Sequence, residues 1–172
     1  KVLDFFDLIE KRSSVRSYQD REISEDKLQK LLQAANSAPS AGNLQAYEMV
    51  VVKKEEIKQE LAMAAYNQQF IKEAPVSVVF LLDPDRSSRK YGSRGEELYT
   101  IQDSSIAATF LMLAAFEMNM GSCWIGAFQE EDVKNALDIN KRPVAIITLG
   151  YTSDKRTNTS RRELEDIVTY RE

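Results

Sequence analysis

The sequence has no histidine and a single cysteine, Cys123, in 172 residues. Without histidine there is no Ser-His-Asp triad, no Cys-His dyad and no imidazole ligand for a metal. One cysteine closes no internal disulfide and no Cys-x-x-Cys redox pair. The glycine-rich nucleotide fingerprints are missing too. Neither Gly-x-Gly-x-x-Gly nor the P-loop pattern occurs, so the Rossmann and P-loop phosphate cradles are excluded. No apolar run approaches the roughly 18 residues that a membrane-spanning helix needs. The opening Lys1-Val2-Leu3-Asp4 lacks the pattern of a signal peptide, and the expectation is a cytoplasmic protein. A net charge of −4 argues against nucleic acid as a partner, since such binders carry a strongly basic face. No membrane partner and no metal are expected. An enzyme built this way takes its hard chemistry from a bound organic cofactor.

What is present fits one domain, 1–172, or one protomer of an obligate dimer. Apolar spacing predicts a helix from Leu3 to Arg12, with Phe5, Leu8 and Ile9 on one face. Ser24 is placed to cap a second helix whose stripe is Leu28, Leu31, Leu32 and Ala35. Pro39 and Gly42 bracket a loop. Strands are expected at Tyr47 to Val52, Val76 to Leu82, Ser122 to Ile125 and Pro143 to Gly150, and helices at Glu55 to Tyr66 and Glu130 to Leu137. Asp83 to Gly95 is polar and reads as a mobile surface segment. Glu96 to Met120 reads as one long helix, apolar over most of its circumference, so it must be buried on several sides, with a partner subunit as a source of cover. Beyond a polar stretch from Tyr151 to Arg162, Leu164 to Tyr170 reads as an extended tail. The pattern amounts to three or four buried strands with helices on both faces.

Five groups of residues invite chemistry. Arg12-Ser13-Ser14-Val15-Arg16 puts two guanidiniums and two hydroxyls within five residues, a good anion cradle, although a helix end in water would look the same. Ala38-Pro39-Ser40-Ala41-Gly42-Asn43-Leu44-Gln45 offers small residues for close backbone approach and amides for hydrogen bonds, although a plain turn uses the same residues. Gly121 to Phe128 ends in Ile125-Gly126-Ala127, which presents bare backbone N–H groups, with Trp124 and Phe128 equally suited to a core. Ser160-Arg161-Arg162 adds cations that either return to an anion or stay in solvent. Asn67 is an amide able to donate and accept at the edge of a pyrimidine-like ring, or a simple loop residue.

In this order and spacing the groups resemble the FMN-dependent nitroreductase family. The likeness runs through Arg12 to Arg16, Ala38 to Gln45, Cys123 to Gly126, then Leu149-Gly150-Tyr151 and the basic pair, and covers Phe5 to Val168. The resemblance implies an α+β nitroreductase fold, with a central mixed β-sheet between helices in three layers, α-β-α, and an intertwined homodimer. It implies FMN sites at the dimer interface and a C-terminal tail, 161–172, exchanged onto the partner's sheet. By the same resemblance Arg12, Ser13 and Ser14 are phosphate and ribityl ligands, and Arg16 sits near flavin N1 and O2. There a positive charge stabilises the reduced flavin. Pro39, Ser40, Ala41 and Asn43 belong to the segment lent by the partner chain. Asn67 faces the pyrimidine edge, Ile125, Gly126 and Ala127 face N5 and O4, and Arg161 or Arg162 closes on the phosphate.

The implied activity is a ping-pong hydride transfer from NADH or NADPH through flavin N5 to a nitroaromatic, a quinone or a related small-molecule acceptor. The flavin carries the reaction, so no catalytic acid, base or nucleophile is expected of the protein. Other flavin reactions on the same site (dehalogenation, flavin fragmentation, peptide dehydrogenation) and a non-catalytic FMN carrier or redox sensor are the alternatives. Two departures stand out. Ala46-Tyr47 follows Gln45 where many relatives carry Pro-Trp, and the 83–95 segment is short where many relatives cover the substrate.

Overall fold

The computed structural model describes residues 4–154 and 159–171. Leu3, 155–158 and Glu172, on which parts of the sequence reading fell, lie outside the described residues. Four strands form one sheet: β1 (Tyr47–Val52), β2 (Val76–Leu82), β3 (Gly121–Ile125) and β4 (Pro143–Gly150), in the order β1-β2-β4-β3. The two strands with continuous apolar runs, β2 and β4, take the centre, where both faces are covered. Every pairing between these strands is antiparallel. The parallel component of the expected mixed sheet is, among the described residues, one bridge between Ser14 and Ser122.

The period-2 alternation of the strands builds two cores. Val78 and Phe80 of β2 and Ala145, Ile147 and Leu149 of β4 pack with α2 (Glu25–Asn36) and α6 (Thr100–Glu117), through Leu28, Leu31 and Leu111. Val79, Leu81, Ile146, Cys123 and Ile125 point the other way, toward α3 (Glu55–Ala64), α4 (Phe70–Glu73) and α7 (Glu130–Leu137), through Leu61, Ile71 and Val133. This is the three-layer arrangement expected. Ala107, Ala108 and Ala115 keep α6 slim where it crosses the sheet. Ile106 and Phe110 on its other side stay partly exposed within one chain.

Three expectations change. The polar 83–95 stretch, read as a mobile surface segment, has regular structure: Pro84–Arg94 forms α5, with Pro84 in the first turn, where a missing N–H costs nothing. Glu96 to Met120 is not one helix, because a π-helical turn at Gly95–Tyr99 precedes α6. The helix from Glu55 stops at Ala64, since Tyr66 and Asn67 both have positive φ, 57° and 62°. Smaller departures follow. The first helix, α1 (Phe5–Lys11), buries Leu8 but leaves Phe5, Phe6 and Ile9 exposed. Ser24 occupies the N-cap of α2 without a side-chain bond, and the tail holds a 3-10 turn at Leu164–Asp166 instead of being extended throughout.

Candidate functional site

Arg12 terminates α1 in extended backbone, and the chain then runs as a strap along one end of the sheet. Val15 N–H donates to Ser122 O at 2.9 Å and Gln19 N–H to Tyr151 O at 2.9 Å. The Tyr18 hydroxyl lies 2.6 Å from Thr148 Oγ1 and donates to Val15 O at 2.9 Å. Glycine allows this closeness: a Cβ on Gly121 would stand 2.8 Å from Val15 Cβ, and one on Gly150 2.7 Å from Tyr18 Cδ1. The strap sets Arg12, Ser14 and Arg16 around Cys123. Burial pushes the Cys123 thiol up, while Arg16, a hydrogen bond with Ser14 and Arg12 pull against it.

Arg12 is half-buried and its Nη1 is buried with no hydrogen-bond partner. Burial lowers its pKa, and the charge of Arg161 lowers it further. A desolvated guanidinium beside a second cation, with one N–H donor unsatisfied, is an arrangement that an anion completes. Of the basic pair, Arg161 is the one whose charge is felt at Arg12. Arg162 turns back and donates from Nη2 to Asp166 O at 2.8 Å within the tail. Ser13 and Ser14 share the strap, with Ser13 partly buried and Ser14 exposed.

The segments that carry Asn67 and Ile125-Gly126-Ala127 are joined through their neighbours, on the side of the sheet that carries α3 and α7. Gln129, two residues beyond Ala127, donates its N–H to Ala64 O at 2.9 Å and its side-chain amide to the Tyr66 hydroxyl at 3.1 Å. Gly126 and Ala127 are exposed and Ile125 is buried in the core. Asn67 Oδ1 accepts from Gln69, which leaves its amide NH2 unengaged by the residues described.

Pro39, Ser40, Ala41 and Asn43 stand elsewhere. A 3-10 turn, Ala41–Asn43, leads into β1, and two positive φ angles, 59° at Gly42 and 55° at Asn43, shape it. Ser40 Oγ accepts from Gln45 N–H at 3.0 Å, and Asn43 Oδ1 accepts from Gln45 Nε2 at 2.5 Å. Asp103 of α6, 2% exposed, accepts from Ala41 N–H at 2.9 Å and leaves its second oxygen buried without a partner. The sequence reading missed Asp103; its signal was a carboxylate inside a helix expected to be buried on several sides. Thr100, also missed, donates to Ala46 O at 2.6 Å, and Arg86 of α5 donates to Leu44 O.

These two groups lie at opposite corners of the sheet. The strap joins the outer strand β3 at Ser122, level with Leu149 and Val76, whereas the 3-10 turn enters the other outer strand at Tyr47, level with Leu82. Three strand spacings make about 14 Å across the sheet, and six residues about 20 Å along it. One chain does not bring Arg12 and Asn43 to the same ligand.

The sequence profile of the nitroreductase family matches residues 9–69 and 58–151. The chain belongs to the nitroreductase family. A nitroreductase family protein from Clostridium novyi NT has 31% identity and a TM-score of 0.80, over 88% of this chain and 87% of its own. An FMN-dependent nitroreductase from Clostridium difficile R20291 has 26% identity and a TM-score of 0.80, over 96% of this chain and 98% of its own. An Archaeoglobus fulgidus protein, provisionally named an NADH dehydrogenase/NAD(P)H nitroreductase, is 32% identical over 155 residues, 87% of this chain and 86% of its own. In this nitroreductase family chain no helix, among the described residues, is long and apolar enough to cross a membrane.

Proposed function

We propose that the protein is an FMN-dependent NAD(P)H oxidoreductase that works as a homodimer, with each flavin held between strap residues of one protomer and the 3-10 turn of the other. The observation that carries this is Arg12, a half-buried guanidinium with an unsatisfied Nη1 and the charge of Arg161 beside it. A flavin phosphate fits that need, since a dianion can accept from both guanidiniums at once. Membership of the nitroreductase family and the cofactor in the name of the C. difficile relative support FMN over other phosphates. Bound FMN would supply two-electron hydride chemistry between a nicotinamide donor and a nitroaromatic, quinone or related acceptor.

The residues of this chain would bind and orient. Arg12, Ser13, Ser14 and Arg161 would hold phosphate and ribityl oxygens. Arg16, within the strap, would place a positive charge where the ring gains electrons. The Asn67 amide and the exposed backbone of Gly126 and Ala127 would hold the polar edges of the ring. Pro39, Ser40, Ala41 and Asn43 of the second protomer would close the site, on a turn held in shape by Asp103. The tail from 161 would reach the partner's sheet, which would cover Leu164, Ile167, Val168 and Tyr170, all exposed within one chain.

The test is the visible spectrum of the purified protein before and after anaerobic addition of NADH and then NADPH. The expected result is a flavin spectrum that bleaches with at least one donor. A protein that takes up no flavin from excess FMN would overturn the proposal.

A further inference from the structure

The helix formed by the polar 83–95 stretch carries an ordered charge pattern. α5, Pro84–Arg94, holds Arg86, Arg89, Lys90 and Arg94 against one acid, Asp85. The seven ion pairs of the described residues include none of these four cations. The acids of the region are segregated: Asp83, Asp85, Glu96 and Glu97 line a separate cleft with Lys141 and Arg142. Two of the cations, Arg86 and Lys90, lie against the 3-10 turn. Arg86 donates to Leu44 O, and a Cβ on Gly42 would stand 2.9 Å from Lys90 Nζ. Arg94 Nε donates to the Tyr99 hydroxyl at 3.1 Å. Tyr99 in turn walls a cleft of about 530 Å³ that Pro39, Ser40 and Ala41 share. A helix with an excess of cations, none of them in an ion pair among the described residues, therefore borders a cleft with an aromatic wall, at the turn assigned above to the flavin site.

In a chain of net charge −4, four cations within Pro84–Arg94, three before the kink at Gly92 and Arg94 after it, repel each other, and an anion would relieve that repulsion. We infer that α5 docks the adenosine 2′-phosphate of NADPH, so that the protein discriminates NADPH from NADH. The inference rests on the flavin reading for the location of the site. The only chemical difference between the two donors is one phosphate that carries nearly two negative charges. Arg forks and a Lys ammonium are suited to such a group. Arg89 and Lys90 are exposed and neither takes part in the tie to Leu44; Lys90 Nζ stands 5.4 Å from the centre of the Tyr91 ring, a contact that leaves its N–H donors open to a ligand from solvent.

The test has two arms. In calorimetry the protein binds adenosine 2′,5′-diphosphate at least about tenfold more tightly than adenosine 5′-monophosphate at low salt, the scale of one charge-assisted hydrogen bond. The difference narrows in 0.5 M NaCl as screening sets in. The double variant Arg89→Glu/Lys90→Glu, with FMN content and Tm held, abolishes the difference. In turnover, its kcat/KM falls by about tenfold more with NADPH than with NADH. Equal binding of the two nucleotides, or a variant that loses NADH and NADPH activity alike, overturns the inference. Failure of the flavin reading looks different, because it appears as absent flavin absorbance whatever the nucleotide binding does.

Discussion

Burial depresses the pKa of the Arg12 guanidinium, and Arg161 lies close enough for its charge to depress it further. Like charges brought together by folding raise the free energy of the chain until an anion separates them. Replacement of Arg161 by Ala should therefore weaken FMN binding by at least about tenfold, the loss expected for one charge-assisted hydrogen bond. It should also relieve repulsion, so the flavin-free variant should melt no lower than the flavin-free parent. Arg162→Ala should bind FMN as the parent does, because Arg162 is engaged with Asp166 O. Fluorescence titration of the two variants checks the assignment, and equal losses would reverse it.

Arg16 is exposed within the strap, and its charge reaches Cys123. If it stabilises charge gained by the flavin ring, its benefit grows as the ring is reduced. Arg16→Ala should slow anaerobic reduction by NAD(P)H by more than it raises the Kd of oxidised FMN. Stopped-flow bleaching compared with equilibrium titration separates the two, and a parallel change would assign Arg16 to binding alone.

Gly121 lets the strap touch the sheet. A Cβ there meets Val15 Cβ at 2.8 Å and both Val15 methyls within 2.9 Å, and Val15 Cβ is fixed to its own backbone. Gly121→Ala should cost roughly 1–3 kcal/mol of stability, the usual scale of overpacking. It should also lower FMN affinity, since Ser13, Ser14 and Arg12 are carried by the displaced segment. Denaturant melts and FMN titration of the variant test both parts. A variant as stable as the parent would mean that the strap shifts freely.

The limits of the sequence reading follow from what holds each element. β1, β2, β4 and α7 match the expected bounds because apolar periodicity records burial, and burial fixes these elements. α5 has no apolar stripe to record. It is fixed by Pro84 in its first turn, by the bond from Arg86 to Leu44 O and by buried Ser87, of which only the proline was visible in advance. The same holds in the site. Residue types marked Arg12, Ser14 and Asn43 as candidates, but Arg161 and Arg162 are equivalent in sequence and differ only in where the tail points them. Asp103 was hidden because its partner, the N–H of Ala41, is a backbone group 62 residues away.

Tyr18 fastens the strap through Thr148 and Val15. Burial raises its pKa well above the ordinary 10.0, and the Thr148 hydrogen bond offsets part of the rise. A phenol whose folded pKa exceeds its unfolded one contributes stability that is full below pH 10 and lost as pH climbs toward the folded value. Tyr18→Phe loses the hydrogen bonds, about 1 kcal/mol at neutral pH. Its deficit against the parent should shrink above pH 10, since only the parent then has a tyrosine to ionise. Cys123 and Lys58 titrate in both proteins. Urea melts at pH 7, 9 and 10.5 measure the deficit, and one that grows with pH would show that Tyr18 is not buried as a neutral phenol.

The diagonal separation of Arg12 from Asn43 makes the dimer testable without a structure of it. If each flavin takes the strap of one chain and the turn of the other, a homodimer of Arg12→Glu chains has both sites damaged, and so does a homodimer of Asn43→Lys chains. A mixed dimer has one site with both lesions and one with neither. Unfolding and refolding the two variants together should then restore tight FMN binding to about a quarter of all sites, given random pairing of protomers. Each variant refolded alone should restore none. If Arg12 and Asn43 of one chain served one flavin, every site in the mixture would keep a lesion and no binding would return. Recovery of flavin fluorescence quenching after co-refolding, set against the separate controls, decides between shared and self-contained sites.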